Sequence, residues 1–188
     1  KSFIKYSLFF IFCLFIIYSY FDYNKNLKNE QVSELYIRAV NSFYVSDYNT
    51  VVNLSKLIIK NYDNVCYKEF CFLLLSNIKY KKNDIFNSIF FLKEIVNNNS
   101  YAYLSHMSIV RLCKIFYLNN MLNEAFYYID NFKNDIYFSL YEEIKGDMFA
   151  CMNDNINSQV AYWLSLNNIK INYNLSIKIK VNSFGFIL

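Results

Sequence analysis

The chain has 188 residues, enough for one globular domain of ordinary size or for a shorter domain with an anchor. Its formal net charge of +4, from 19 basic and 15 acidic side chains, is too small to indicate a nucleic-acid-binding protein. The 55% apolar content excludes disorder, and two glycines without any proline disfavour β-sandwiches, barrels and glycine-rich phosphate loops. Composition therefore predicts an all-α protein.

An uncharged apolar segment lies near the amino end, at residues 6–21 (YSLFFIFCLFIIYSYF). A bilayer span needs roughly 17–25 apolar residues, and Phe3 and Ile4 extend this run because Lys5 can reach the headgroups. Bulky residues follow the run, so no small-residue cleavage site of a secretory signal peptide is apparent. We expect residues 1–23 to be a transmembrane anchor and residues 24–188 to be a helical domain. A cleaved signal peptide and a buried core helix are the alternatives.

Two features concern the flanks of this segment. The chain opens with a lysine rather than a methionine, so we expect further residues upstream of Lys1. Lys1 and Lys5 precede the segment while Lys25 and Lys28 follow it, so the positive-inside count is nearly balanced. Charge alone therefore leaves the orientation of the anchor open.

Apolar residues recur at spacings of three and four from Glu30 onward, which predicts a series of amphipathic helices. Short polar breaks separate them at residues 82–84, 119–120 and 153–154. Asn and Asp tolerate the left-handed conformation that ends a helix and can also cap the next one, so they replace the missing glycines.

These breaks are evenly spaced. Asn83 and Asn119 are 36 residues apart, and Asn119 and Asn153 are 34 residues apart. A helix–turn–helix period of about 34 residues is typical of tetratricopeptide-type stacking. Ala125 and Ala161 lie early in the second helix of their pairs, where a small side chain allows close helix approach. A plain helical bundle is the alternative.

The tail at residues 174–182 alternates strictly between apolar and polar residues, which is typical of a strand. A lone strand after a helical array has no partner, so we expect a capping helix instead.

No residue pattern indicates catalysis. The five cysteines (13, 66, 71, 113 and 151) form no C-x-x-C pair, and we interpret them as buried structural thiols. The single histidine, His106, has no spacing that ties it to a cysteine, and we place it at the surface or the core boundary. We therefore predict no catalytic residues, no cofactor-binding residues and no enzymatic activity.

Metal ligation is not predicted either, because one histidine and scattered carboxylates make no cluster. Glu142, Glu143 and Asp147 lie within six residues on one predicted helix. Paired carboxylates could do acid–base work, but we interpret them as a solvated helix face.

The skewed composition carries a hypothesis about origin. The chain has 27 Asn, 22 Ile and 17 Lys against 2 Arg and 5 Ala, so residues with A/T-rich codons dominate. This indicates an AT-biased genome, such as that of a reduced bacterial symbiont or a protozoan parasite.

The second half of the chain resembles the YfgM family of bacterial inner-membrane proteins. Residues 108–115 (SIVRLCKI) are similar to that family's "LRLARV" helix, with Arg111 at its arginine, and residues 129–133 (IDNFK) to its "LDxIK". Residues 137–147 resemble its "W…DIRGE/D" segment with Gly146 retained, and Ala161 falls on the alanine of its "ARSAW" helix. Residues 177–182 (IKIKVN) resemble its closing "MQMKIN" helix.

This resemblance implies an ancillary subunit of the SecYEG translocon, with one inner-membrane anchor and a tetratricopeptide-like periplasmic domain. It further implies association with the periplasmic chaperone PpiD and assistance to secreted chains; no protein-binding residue is marked by a motif. Three alternatives stay open. They are a tetratricopeptide receptor facing the cytosol, a scaffold for envelope assembly, and a thiol enzyme at the membrane.

Overall fold

A computed structural model describes residues 2–62, 64–131 and 135–167, with the side chains of residues 2–13, 65 and 135 left out of the description. Within these residues the chain is all-α, as predicted from composition. Eight α-helices and one short 3₁₀ helix follow one another: α1 (Ser2–Tyr44), α2 (Tyr48–Asn61), α3 (Val65–Lys81), α4 (Ile85–Asn98), α5 (Ala102–Leu118), α6 (Leu122–Asn131), the 3₁₀ helix (Asp135–Tyr137), α7 (Phe138–Cys151) and α8 (Asn155–Asn167).

Four turns of one kind separate the members of successive helix pairs. Their central residues have positive φ angles of 59–62° and are Ser46, Asn83, Asn120 and Asn153. In each turn the next residue's N–H bonds back to the carbonyl five residues earlier, as from Asp84 to Lys79 at 2.9 Å. This is the Schellman arrangement, which satisfies the last carbonyls of a helix. The predicted use of Asn as the helix-ending residue is confirmed at three of the four turns.

An aspartate follows the left-handed residue in three of these turns. The Asp84 carboxylate accepts a hydrogen bond from the Asn87 N–H at 3.3 Å, and Asp154 accepts one from the Asn157 N–H at 3.2 Å. Asp47 caps α2 in the same way through the Thr50 N–H. A hydrogen bond of 2.8 Å from the Lys79 ammonium and the capping bonds stabilise the ionised Asp84, so its pKa lies below the ordinary value, and the bonds from Thr50 lower the pKa of Asp47. One short segment therefore both ends a helix and begins the next.

The chain divides into two compact units, Lys1–Leu75 and Ser76–Leu188. In the first unit, α1 and α2 pack together. A small core there contains Val32, Ile58 and Cys71, with Tyr36 and Tyr67 packed against it. In the second unit, α4 packs on α5, α5 on α6 and α7 on α8. Its buried residues include Leu92, Ile109, Leu112, Ile129, Ile144 and Met148.

Helix α1 contains the apolar segment predicted as an anchor and continues past it without interruption to Tyr44. Every side chain described from Leu14 to Phe21 is exposed. Among the residues that the structure describes, none of the helices is both long enough and apolar enough to cross a bilayer. The predicted span at 6–21 gains no support from this finding. The tail at 174–182, for which a capping helix is predicted, lies outside the described residues.

Candidate functional site

A groove of about 380 Å³ opens in the second unit, between the end of α3 and the helices α4 and α5. Its floor consists of buried side chains, which are Ser76, Ser88, Leu92 and Ile115. Its walls consist of exposed side chains, which are Asn77, Tyr80, Arg111, Lys114 and Leu118. The groove thus has a small, well-packed floor under longer polar and basic side chains.

The floor is held by hydroxyl hydrogen bonds between two helices. The Ser88 hydroxyl on α4 lies 3.0 Å from the Ser76 carbonyl oxygen on α3 and 2.9 Å from the Ser76 hydroxyl. Both serines are buried, so these bonds are shielded from water. Small side chains at this crossing let the two helices approach closely and fix the geometry of the floor.

The walls carry an uncompensated positive charge. Arg111 and Lys114 are three residues apart on α5, which places them on one face of the helix. Neither makes an ion pair within the part of the chain that the structure describes, and all the residues that line this groove lack a carboxylate. A groove with two basic side chains, amide and hydroxyl donors, and an exposed Leu118 is complementary to an acidic, partly apolar ligand.

Sequence reasoning did not identify Arg111 and Lys114 as binding residues. From the sequence, Arg111 is identified only as the residue that matches an arginine of the YfgM family. A signal was present nonetheless: the 17 residues of α5 include two cations one turn apart and no carboxylate. The spacing of residues along α5 could not predict the opposite wall of the groove. Asn77 and Tyr80, which form it, lie on α3, more than thirty residues earlier.

The cysteines described are suited to packing rather than to nucleophilic chemistry. Cys71 and Cys113 are fully buried, and burial raises the pKa of Cys71 to about 11 and that of Cys113 to about 12. Thiols with such pKa values are protonated at neutral pH and react slowly. Cys66 is half-buried and Cys151 is exposed, so the prediction of buried thiols is wrong for Cys151. Cys13 lies among the side chains outside the description.

His106 is buried, which corrects its predicted place at the surface or boundary. Its ring stacks on Tyr137 with 4.1 Å between ring centroids, and its Nδ1 atom hydrogen-bonds with the Tyr141 hydroxyl. Burial disfavours the charged imidazolium, so the pKa of His106 is lowered from its ordinary value of 6.5. The residue ties α5 to α7.

The acidic group on α7 also differs from the predicted solvated face. Glu142 is only 5% exposed, and one of its carboxylate oxygens lies 3.7 Å from the Lys145 ammonium, which also pairs with Asp130 on α6 at 3.4 Å. Asp147 accepts a hydrogen bond of 2.7 Å from the Tyr162 hydroxyl on α8. The Lys145–Asp130 pair therefore links α7 to α6, and the Asp147–Tyr162 bond links α7 to α8, while the Glu142–Lys145 pair lies within α7. Among the described residues, no group of three or more potential ligands could hold a metal ion.

Comparison with known proteins places the chain in one family. The tetratricopeptide repeat-like domain family matches residues 2–185, almost the whole chain. The chain therefore belongs to this family, as the spacing of its turns predicts. No curated protein and no solved structure matches it. Domains of this class are generally protein-binding scaffolds, whose repeated helix pairs present extended binding surfaces.

Proposed function

We propose that this protein is a non-catalytic, membrane-anchored scaffold that binds acidic segments of partner proteins in the groove between α3, α4 and α5. The charges of Arg111 and Lys114 carry this proposal. Among the described residues neither cation has an ion-pair partner that an acidic ligand would have to displace, and both attract carboxylates over about a Debye length. Leu118, which is 60% exposed, offers an apolar contact beside them.

The proposed location is the bacterial inner membrane, with α1 as the anchor and the repeat domain in the periplasm. The uncharged run at 6–21 supports an anchor, as does the exposure of its apolar side chains from Leu14 to Phe21. Water solvates such a surface poorly, whereas lipid covers it favourably.

Within that location, the proposed role is that of an ancillary subunit of the SecYEG translocon, which works beside a periplasmic chaperone such as PpiD and assists secreted chains. Support for this assignment comes from the ordered resemblance of residues 108–182 to the YfgM family. An envelope-assembly scaffold, or a receptor facing the cytosol, would use the same groove with other partners.

The groove is tested by peptide binding to the purified full chain. The probe is a fluorescein-labelled octapeptide of alternating glutamate and leucine, and its binding is followed by fluorescence anisotropy. We expect saturable binding that weakens as salt is raised, since the Debye length falls from about 10 Å at 0.1 M to about 3 Å at 1 M. A peptide with glutamine in place of glutamate should bind much more weakly.

Two charge-matched variants locate the binding site. Arg111→Gln with Lys114→Gln should weaken binding about 5-fold to 30-fold, because each exposed ion pair contributes up to about 1 kcal/mol. Lys56→Gln with Lys60→Gln removes two exposed charges from α2, outside the groove, and should leave binding unchanged. Equal affinities for the two double variants would contradict the assignment of the groove.

A further inference from the structure

A second cavity lies in the first unit, where the apolar segment of α1 meets the rest of that unit. Its volume is about 430 Å³, and it is lined by Phe21, Lys25 and Lys28 of α1 together with Asn61, Tyr62 and Asn64. Val32, which is fully buried, also lines it. A hydrogen bond of 3.1 Å from the side-chain amide of Asn64 to the side-chain oxygen Oδ1 of Asn29 connects its two sides.

The two lysines of this cavity have a regular position on the helix. Lys25 and Lys28 follow Phe21 by four and seven residues, so all three share one face of α1. At about 1.5 Å of rise per residue, the lysines lie about 6 Å and about 10 Å beyond Phe21 along the helix axis. Their side chains can lean back toward Phe21 by a few ångströms.

The charge in the cavity is unbalanced. Among the residues that the structure describes, neither Lys25 nor Lys28 makes an ion pair and no carboxylate lines the cavity. The acidic residues nearest in sequence are Asp22 and Glu30, and neither is among the residues that line the cavity. The Asp22 carboxylate accepts a hydrogen bond from the side-chain amide of Asn26. The cavity is thus a basic, amide-lined recess beside an exposed apolar helix segment.

From this arrangement we infer that the cavity binds the headgroup of an anionic phospholipid, with its phosphate between Lys25 and Lys28. The headgroup layer of a bilayer is only about 5–8 Å thick on each side. With Phe21 at the edge of the hydrocarbon, Lys25 falls within this layer and Lys28 just beyond it. The inference rests on the proposed membrane anchoring of α1. It assigns a preference for anionic lipids to Lys25 and Lys28, which follow the anchor.

The test uses the full chain reconstituted into nanodiscs that contain equal amounts of phosphatidylglycerol and phosphatidylcholine. Lipids that remain bound after release from the disc are counted by native mass spectrometry. We expect phosphatidylglycerol to be enriched at least about five-fold on the wild-type chain, since each lysine near the membrane surface contributes about 1 kcal/mol. Lys25→Gln with Lys28→Gln should abolish the enrichment, while Lys56→Gln with Lys60→Gln should keep it.

The outcomes separate the lipid site from the anchor. A chain that enters the nanodisc without enrichment, or whose enrichment survives Lys25→Gln with Lys28→Gln, overturns the lipid site and leaves the anchor standing. A chain that does not enter the disc contradicts the anchor and the lipid site together. Loss of the enrichment in millimolar inorganic phosphate would show a general phosphate site and overturn the commitment to lipid. Both lysines are exposed, so their replacement leaves the fold intact.

Discussion

The hydroxyl of Ser158 on α8 donates a hydrogen bond of 2.9 Å to the carbonyl oxygen of Gly146 on α7, twelve residues earlier. The same separation joins Ser88 to Ser76 at 3.0 Å, and the Cys113 thiol to the Ala125 carbonyl oxygen at 3.6 Å. In each pair one residue precedes the left-handed turn residue by seven positions, and the other follows it by five. The helix crossing is therefore built alike in three pairs.

Removal of the Ser158 hydroxyl tests the strength of this crossing. Ser158→Ala should lower the free energy of unfolding by about 1 kcal/mol, since that is the typical contribution of a buried hydrogen bond. Urea unfolding followed by circular dichroism measures the change. Ser100→Ala is the control, because its hydroxyl makes only an exposed bond to Asn98, and it should change stability by less than about 0.5 kcal/mol. Equal effects of the two variants would contradict a structural role for the hydroxyl.

Gly146 has no room for a larger side chain, because a Cβ atom there would overlap the ring of Tyr162. Gly146→Ala should therefore destabilise the fold by roughly 1–3 kcal/mol, although alanine is the better helix former. A stabilising effect in urea unfolding would contradict this packing.

A double-mutant cycle separates this overlap from other effects. Tyr162→Ala removes the ring, so the added cost of Gly146→Ala should then fall by at least about 0.5 kcal/mol. Strict additivity of the two substitutions would show that Tyr162 is not what excludes the Cβ atom.

Asn120 has a φ angle of 59°, a conformation that costs ordinary L-residues about 1–2 kcal/mol. Asn120→Ala should therefore destabilise the fold by about 1 kcal/mol, whereas Asn120→Gly should be neutral or slightly stabilising. Matched thermal and urea unfolding of the two variants provides the comparison. Equal stability of the alanine and glycine variants would contradict a cost of the positive φ angle at this position.

His106 makes stability depend on pH below neutrality. Its pKa is lowered in the folded state, so the unfolded chain binds the proton more tightly. The stability that the neutral form of His106 contributes is fully present above the unfolded-state pKa of 6.5. It is lost as the pH falls from there through the lower, folded-state pKa. Urea unfolding at intervals between pH 7.5 and pH 5 should show this loss. In His106→Gln the slope should be shallower, and an unchanged slope would assign the effect to other groups.

The fold could be predicted in outline because its signals are local. Apolar spacing marked the helices, and Asn at 83, 120 and 153 marked their ends, since this residue both tolerates a positive φ angle and favours turns. The turn at Ser46 was not predicted, because serine is a weaker turn signal than asparagine. The family match at residues 2–185 confirms the tetratricopeptide-like class that the spacing indicated.

Residues at the helix crossings could be predicted only in part. Ala125 does lie at a crossing, but Ala161 does not occupy the equivalent place in the last pair, which Ser158 fills instead. Counting from the left-handed residues shows why. The positions seven residues before the turns are Ala39, Ser76, Cys113 and Gly146, and this series of small side chains is visible only after the turns are located.

The groove could not be predicted because its two walls come from helices far apart in the sequence. Asn77 and Lys114 line the same cavity, yet no pattern of local spacing relates them. His106 was misplaced for a similar reason, because its partners Tyr137 and Tyr141 lie on another part of the chain. Such long-range contacts depend on packing rather than on periodicity.

Site-specific photocrosslinking in native membranes tests the central claim, that the protein is a scaffold that binds partners in the groove. A photoreactive phenylalanine analogue replaces Leu118, which lines the groove, or Phe86, which is 80% exposed on α4 but does not line it. We predict discrete protein adducts from position 118 that Arg111→Gln with Lys114→Gln reduces, and far fewer from position 86. Mass spectrometry then shows whether these partners are translocon subunits or secreted chains. Equal labelling from both positions, or adducts that persist without the two charges, would contradict the account.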